Sequence, residues 1–160
     1  MGLIVLGETG KKTSKSNLDY LINDVEKTLA AGAEKVFFEA KEFVDADGDI
    51  NYDLIEKLGE KVNVDSLIFE TPGTWIKGVH FFTQYRLWKI LINSFGANVN
   101  IANIPNLDAL NRLSLMRLGL GADTGLGNLN FTPAQNGMMQ WKNSLFLKPN
   151  HSLLRVPEKY

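Results

Sequence analysis

The sequence predicts an α/β protein with a parallel sheet, and three observations carry that expectation. Glu8, Glu39 and Glu70 recur 31 residues apart, each closing a short apolar run: Leu3-Ile4-Val5-Leu6-Gly7-Glu8, Val36-Phe37-Phe38-Glu39 and Leu67-Ile68-Phe69-Glu70. Such an interval fits one strand-plus-helix unit, with the acid at the strand's exit end. Between the runs lie longer stretches whose apolar residues recur at helical spacing. Four of these units follow one another, which implies parallel strands joined by right-handed crossovers.

The elements follow in order. After the first run, Gly10 to Ser16 is a polar, lysine-rich loop, and Ser16 or Asn17 is positioned to cap a helix. Leu18, Leu21, Ile22, Val25 and Leu29 form the apolar stripe of that helix, which Gly32 stops. A second strand begins near Lys35. Tyr52, Leu54, Ile55 and Leu58 mark a second helix ending at Gly59, and a third strand covers Ser66 to Glu70. Pro72-Gly73 breaks the chain before a long apolar helix from about Val79 to Asn93. A fourth strand is expected over Asn98 to Ile104, stopped by Pro105, and a fourth helix over Leu107 to Leu118. From Gly125 onward Asn, Gly and Pro become frequent and no period is evident. Phe131, Trp141, Phe146 and Leu147 are expected to pack this segment onto the body, and a short helix fits Ala134 to Asn143.

Composition narrows the class. The 160 residues suit one domain, with 44% hydrophobic and 22% charged residues and a net charge of −1. Interspersed charge of both signs gives no footprint for nucleic acid or an anionic membrane. No apolar run reaches the roughly 18 residues of a membrane helix, and no signal-peptide pattern opens the chain. The absence of cysteine removes disulfides and thiolate metal sites. A cytoplasmic location is the expectation.

The glutamate array is the strongest functional signal. Strand exits are where α/β folds place ligands and metals, and Glu is seldom buried without a partner. One reading makes the three acids metal or substrate contacts. The other pairs them with Lys11, Lys12, Lys41 and helix N-termini as structural ion pairs. Lys11 and Lys12 follow a strand and a glycine and suit a phosphate or an acid role, or a solvated loop that includes Lys15. Asn100 and Asn103 are three apart in the fourth strand, so they face opposite sides, one toward a ligand and one toward the following loop. Arg117 and Asp123-Thr124 are substrate contacts or, respectively, surface and turn residues. Asp45, Asp47, Asp49 and Glu56 fall at positions 1, 3, 5 and 12 of a calcium-loop pattern, but position 6 is Ile50 where glycine is required. A solvated loop is the better reading. The aromatic-rich stretch from Trp75 to Ile92 is core by spacing, yet its apolar residues wrap further around than one helix face needs, which suggests a second contact surface. His80 and His151 have no partner motif.

Five segments then stand out together: Gly7-Glu8-Thr9-Gly10-Lys11-Lys12, Phe38-Glu39-Ala40-Lys41-Glu42, Ile68-Phe69-Glu70-Thr71-Pro72, Phe95 to Ile104 (FGANVNIANI), and Leu115 to Thr124 (LMRLGLGADT). In this order they resemble the phosphosulfolactate synthase family, TIM-barrel enzymes of coenzyme M biosynthesis. The resemblance covers about residues 3–124 and only the C-terminal half of the family's barrel. It implies a parallel (βα)4 half of a TIM-type barrel over 1–124, with an irregular C-terminal extension over 125–160 packing on the body. Four strands cannot close a barrel, so completion by association, as a homo-oligomer, or cover of the exposed face by the C-terminal tail is expected.

The activity implied is addition of sulfite to phosphoenolpyruvate with magnesium (Mg2+), giving (2R)-phospho-3-sulfolactate. The resemblance assigns Glu8, Glu39 and Glu70 to the metal, Lys11, Lys41 and Glu42 to catalysis, and Lys12, Asn100, Asn103, Arg117 and Asp123 to the substrate. Two departures bear on substrate choice. Gly121 stands where the family carries Arg in Gly-Leu-Arg-Gly-Asp-Thr, and Lys41-Glu42-Phe43 replaces Arg-Glu-Ser. The alternatives are a repurposed half-barrel acting through self-association and a related barrel enzyme that uses a different anion.

Overall fold

A computed structural model describes residues 2–12, 14–45 and 47–120. Four strands, β1 (Leu6–Thr9), β2 (Lys35–Phe38), β3 (Leu67–Glu70) and β4 (Ile101–Ala102), alternate with four helices, α1 (Leu18–Ala30), α2 (Tyr52–Lys61), α3 (Phe81–Phe95) and α4 (Leu107–Arg117). The strands form one parallel sheet in the order β1-β2-β3-β4. This is the expected α/β half of a TIM-type barrel. Sequential order with every pair parallel leaves β1 and β4 as the sheet's two edges.

Register divides the sheet into two faces. Thr9, Phe38, Phe69 and Ile101 stand in one row across the four strands. Phe38 and Phe69, with Val36 and Leu67 from the row below, are buried against Leu21, Val25, Ile55, Leu58, Leu87 and Leu91 of the helices. The core therefore lies between the sheet and a single layer of helices. Aromatic rings reinforce it: Phe38 meets Phe43 at 5.0 Å between centroids, and Phe69 stacks on Phe95 at 5.5 Å. The opposite face carries Glu8, Phe37 and Ile68 in one register row, and Phe37 and Ile68 are only half-buried. That is the face a complete barrel would close over.

Helix ends obey local chemistry. Asn17, Asn51 and Asn106 each accept a backbone N–H from the first turn of α1, α2 and α4. Gly32 and Gly96 follow α1 and α3 at φ +102° and +91°, a conformation that costs glycine no Cβ clash. α3 buries Leu87, Trp88, Leu91 and Ile92. Its exposed aromatic surface is confined to the start, where Phe82 is 77% exposed and Phe81 39%. Among the described residues, no helix is long and apolar enough to cross a membrane.

Several boundaries differ from expectation, each for a physical reason. α2 runs through Gly59 to Lys61 because that glycine lets the Phe95 ring of α3 pack against it, a close approach and not a stop. α3 starts at Phe81, since Gly78 at φ +81° and a turn from the Val79 N–H to the Ile76 carbonyl hold the preceding residues in a loop. β4 shrinks to two residues. On its entry side the Arg117 guanidinium takes the Ala97 and Val99 carbonyls, and on its exit side Asn103 sits at φ +58°. The expectations for 125–160, including the helix at Ala134 to Asn143, lie outside the described residues, as do Gly121 and Asp123.

Candidate functional site

Parallel strands send all four βα loops to one end of the sheet, and those loops wall a cavity of about 970 Å3. The β1–α1 loop contributes Lys12, Ser14 and Lys15; the segment after β2 contributes Glu39, Lys41 and Asp45. From the β3 exit come Glu70, Thr71, Trp75, Ile76 and Lys77, and Asn103 follows β4. Four lysines and three carboxylates thus share one pocket with an exposed indole, the composition of a site for a polyanion and a cation.

Register explains which acids meet. Phe38 pairs with Phe69, so Glu39 and Glu70, one residue further on, leave neighbouring strands side by side. Glu39 is 7% exposed, its Oε2 has no hydrogen-bond partner among the described residues, and its Oε1 accepts the Lys41 N–H at 3.5 Å. Burial, and then the charge of Glu70, hold the Glu39 carboxyl above its ordinary range, against a weaker opposing pull from the Lys41 N–H and from Lys12. Glu8 stands lower on the sheet. It is registered with Phe37 and reaches Lys12 at 3.5 Å, with both side chains largely exposed, and it does not line the cavity. The three-glutamate array of the sequence thus becomes a buried Glu39 beside a half-buried Glu70, plus an outlying ion pair, because β1 continues one residue past its glutamate.

Among the described residues, no three Asp, Glu, His or Cys side chains stand close enough to hold a metal on their own. Magnesium does not require that many. It commonly binds one or two carboxylates and completes its shell with water and substrate oxygens. Glu39, with an orphaned buried oxygen, and Glu70, close enough for its charge to act on Glu39, fit that requirement.

The other expected residues separate into two groups. Lys12, Lys41 and Asn103 line the cavity. Lys11 does not; its ammonium lies over the Tyr20 ring, 5.4 Å from the centroid. Asn100 donates to the Asp65 and Leu67 carbonyls at 3.2 and 2.9 Å, bracing the entry end of β3. Arg117, at the C-terminus of α4, clamps the loop before β4, 2.7 Å from the Val99 carbonyl. Helices run antiparallel to their strands, so this clamp sits at the end of the sheet opposite the cavity. Burial lowers the pKa of its guanidinium. The acids at Asp45 and Asp49 close their own loop: Asp45 Oδ1 accepts the N–H groups of Asp47 and Asp49, both at 2.9 Å.

Glu42 has a different place from the one expected. It is 2% exposed, and its carboxylate accepts the Lys11 N–H at 3.0 Å and the Ser16 N–H at 3.0 Å. Those donors are the two ends of the loop that carries Lys12, Ser14 and Lys15. Gly10, at φ +101°, lets Glu42 and Glu39 approach that loop, since a Cβ there would meet both side chains. Glu42 therefore shapes the pocket's lysine wall from outside it. Replacing it with Ala should cost about 3 kcal/mol in urea unfolding, the scale of losing charged hydrogen bonds in a buried site. A loss below about 1 kcal/mol would show that the loop does not depend on it.

Sequence reasoning counted Trp75 with the core aromatics, missed Lys77 and left Lys15 in a solvated loop; Trp75 instead precedes the helix and is 81% exposed. The available signal was the Gly73 and Gly78 pair framing both residues, since glycines at a strand exit permit tight turns toward a ligand.

A family model described as (2R)-phospho-3-sulfolactate synthase (ComA) matches residues 1–123. The chain is 33% identical over 135 residues to a phosphosulfolactate synthase of Bacillus subtilis (strain 168), a match covering 76% of this chain and 47% of that relative. The chain thus spans about half the length of the curated relative it matches.

Proposed function

The chain belongs to the phosphosulfolactate synthase family, and from that premise we propose that it is a lyase-type enzyme adding sulfite to phosphoenolpyruvate with magnesium. The observation that carries this reading is the Glu39–Glu70 pair facing lysines within one pocket at the strand exits. The reaction needs both signs. Two anions must be brought together, and negative charge then builds on the substrate carboxylate.

In the proposed reaction the sulfite sulfur forms a bond to the methylene carbon of phosphoenolpyruvate. The π pair moves to the carbon bearing the phosphate and spreads into its carboxylate. Delivery of one proton to that carbon completes the addition. Magnesium, when bound, supplies positive charge where this carboxylate charge develops. Glu39 and Glu70 are the residues to hold it. Lys12 and Lys41 hold anionic groups in the pocket, and Lys41, half-buried next to Glu39, is the candidate proton donor. Lys11, turned onto Tyr20, is not needed for either role.

The test is calorimetric titration of the protein with phosphoenolpyruvate. A saturable heat that requires magnesium and vanishes with chelator supports the reading. No binding in the presence of magnesium contradicts it.

A further inference from the structure

The sheet face turned away from the helices is apolar and uncovered at its β1 side. Ile4 and Leu6 continue along the first strand segment the alternation that places Glu8 in the row of Phe37 and Ile68. Leu3 and Ile4 are 95% and 72% exposed, Val5 and Leu6 are exposed by about half, and Phe37 and Ile68 are only half-buried. The Val5 carbonyl nevertheless accepts the Glu34 N–H at 2.8 Å, so this bare run is held on the sheet. Glu70 shares the same face, two residues beyond Ile68 in β3, and lines the cavity. The uncovered face is therefore continuous with the candidate site.

Strand number and edge geometry indicate what covers it. All four strands are parallel and in sequential order, with β1 and β4 outermost. The β1 edge of one copy and the β4 edge of another can thus pair in parallel, and a twofold axis along the strands forms both seams at once. Four strands from each copy make eight, a number that closes a barrel whose interior is filled by side chains. The rest of the chain is too short for that task. Residues 121–160 number 40, little more than one 31-residue strand-plus-helix unit, where closure needs four. The exposed area is also of the right order. At roughly 100 Å2 of apolar surface per aliphatic side chain, the Leu3–Leu6 run alone leaves ~270 Å2 bare. Two backbone edges and the side chains between them extend this toward the roughly 800 Å2 per partner of a stable interface.

We propose that this face and its two free edges form a self-association surface, on which a second copy of the chain completes an eight-stranded barrel, each seam joining a β1 edge to a β4 edge. The second copy then walls the open side of the cavity at Glu70. The proposal goes beyond the lyase reading and does not depend on it.

Sedimentation equilibrium of the full chain, over a concentration series without substrate or metal, should give twice the 17.9 kDa chain mass. Ile4→Glu places a charge in the seam and should weaken the dimer at least about tenfold. Circular dichroism checks its fold, and Leu3→Glu, at a still more exposed position, repeats the test if Ile4→Glu does not fold. Phe82→Glu, equally exposed but on α3 and at neither edge, should leave the dimer intact. The chain has no cysteine, so a bismaleimide applied to mixed Ile4→Cys and Asn98→Cys chains reports which edges meet. Asn98 is exposed at the entry end of β4, and the mixed conjugate should dominate. A wild-type monomer throughout the series overturns the proposal, since the tail or a different protein would then cover the face. A dimer unchanged in Ile4→Glu, or lost in Phe82→Glu, also overturns it. Predominant self-conjugation of Ile4→Cys overturns the β1-to-β4 seam. None of these results bears on whether phosphoenolpyruvate binds.

Discussion

Glu39→Gln should reduce turnover by about a hundredfold or more while making the metal-free chain more stable at neutral pH. The first effect follows from losing one of two carboxylates that face the pocket, on the scale of removing a principal electrostatic group from an active site. The second follows from burial. Desolvation, then Glu70, keeps the Glu39 carboxyl above its ordinary value of 4.5. Between that value and the raised one, the folded chain binds the proton more tightly than the unfolded chain. Stability therefore falls as pH rises through the window, and the full penalty stands above it. Gln carries no such penalty. Thermal unfolding in chelator should place the variant above wild type at pH 7, with the gap closing below pH about 4.5. Wild-type turnover, or a variant less stable at pH 7, would remove Glu39 from the role assigned to it.

Trp88→Ala should be the most damaging core substitution, costing about 4 kcal/mol in chemical denaturation. Trp88 is fully buried among the side chains between α3 and the sheet, and no rearrangement of that interior fills so large a void. Its indole N–H also satisfies Thr71 Oγ1, a buried hydroxyl on the cavity wall directly after Glu70. Trp88→Phe separates the two contributions. It keeps much of the volume and should lose about 2 kcal/mol, including the unmet hydroxyl. A loss for Trp88→Ala of less than about 1 kcal/mol would mean that α3 does not anchor the β3 exit as described.

The sequence exposed the scaffold more fully than the site. Its 31-residue interval and apolar runs gave the parallel order, because a strand buried on its helix face must be apolar there whatever its ligand. The asparagine caps and Gly32 were legible for the same local reason. What could not be read was register. A one-residue difference in where β1 ends takes Glu8 out of the group formed by Glu39 and Glu70, and no spacing rule carries that information. Motif position does not show what Arg117, Asn100 and Glu42 touch in the fold. Each is a polar residue of the kind that binds substrates, yet each is taken up by backbone groups, and only three-dimensional proximity reveals those partners. Lys77 was hidden in the opposite way, in a loop with no motif, and Trp75 was counted with the apolar stripe of the following helix, although both line the pocket. Half the length of the relative is represented here, and the sheet's uncovered face with its half-buried Phe37 and Ile68 is the structural counterpart of that fact.

Phosphorus NMR of the protein with phosphoenolpyruvate, sulfite and magnesium, run with and without chelator, is the most direct test of the proposed chemistry. A new phosphorus resonance that requires the protein, sulfite and free magnesium is the predicted result. An unchanged phosphoenolpyruvate line under all conditions would contradict it, and with it the proposal that the Glu39–Glu70 pocket of this half-barrel carries out sulfite addition.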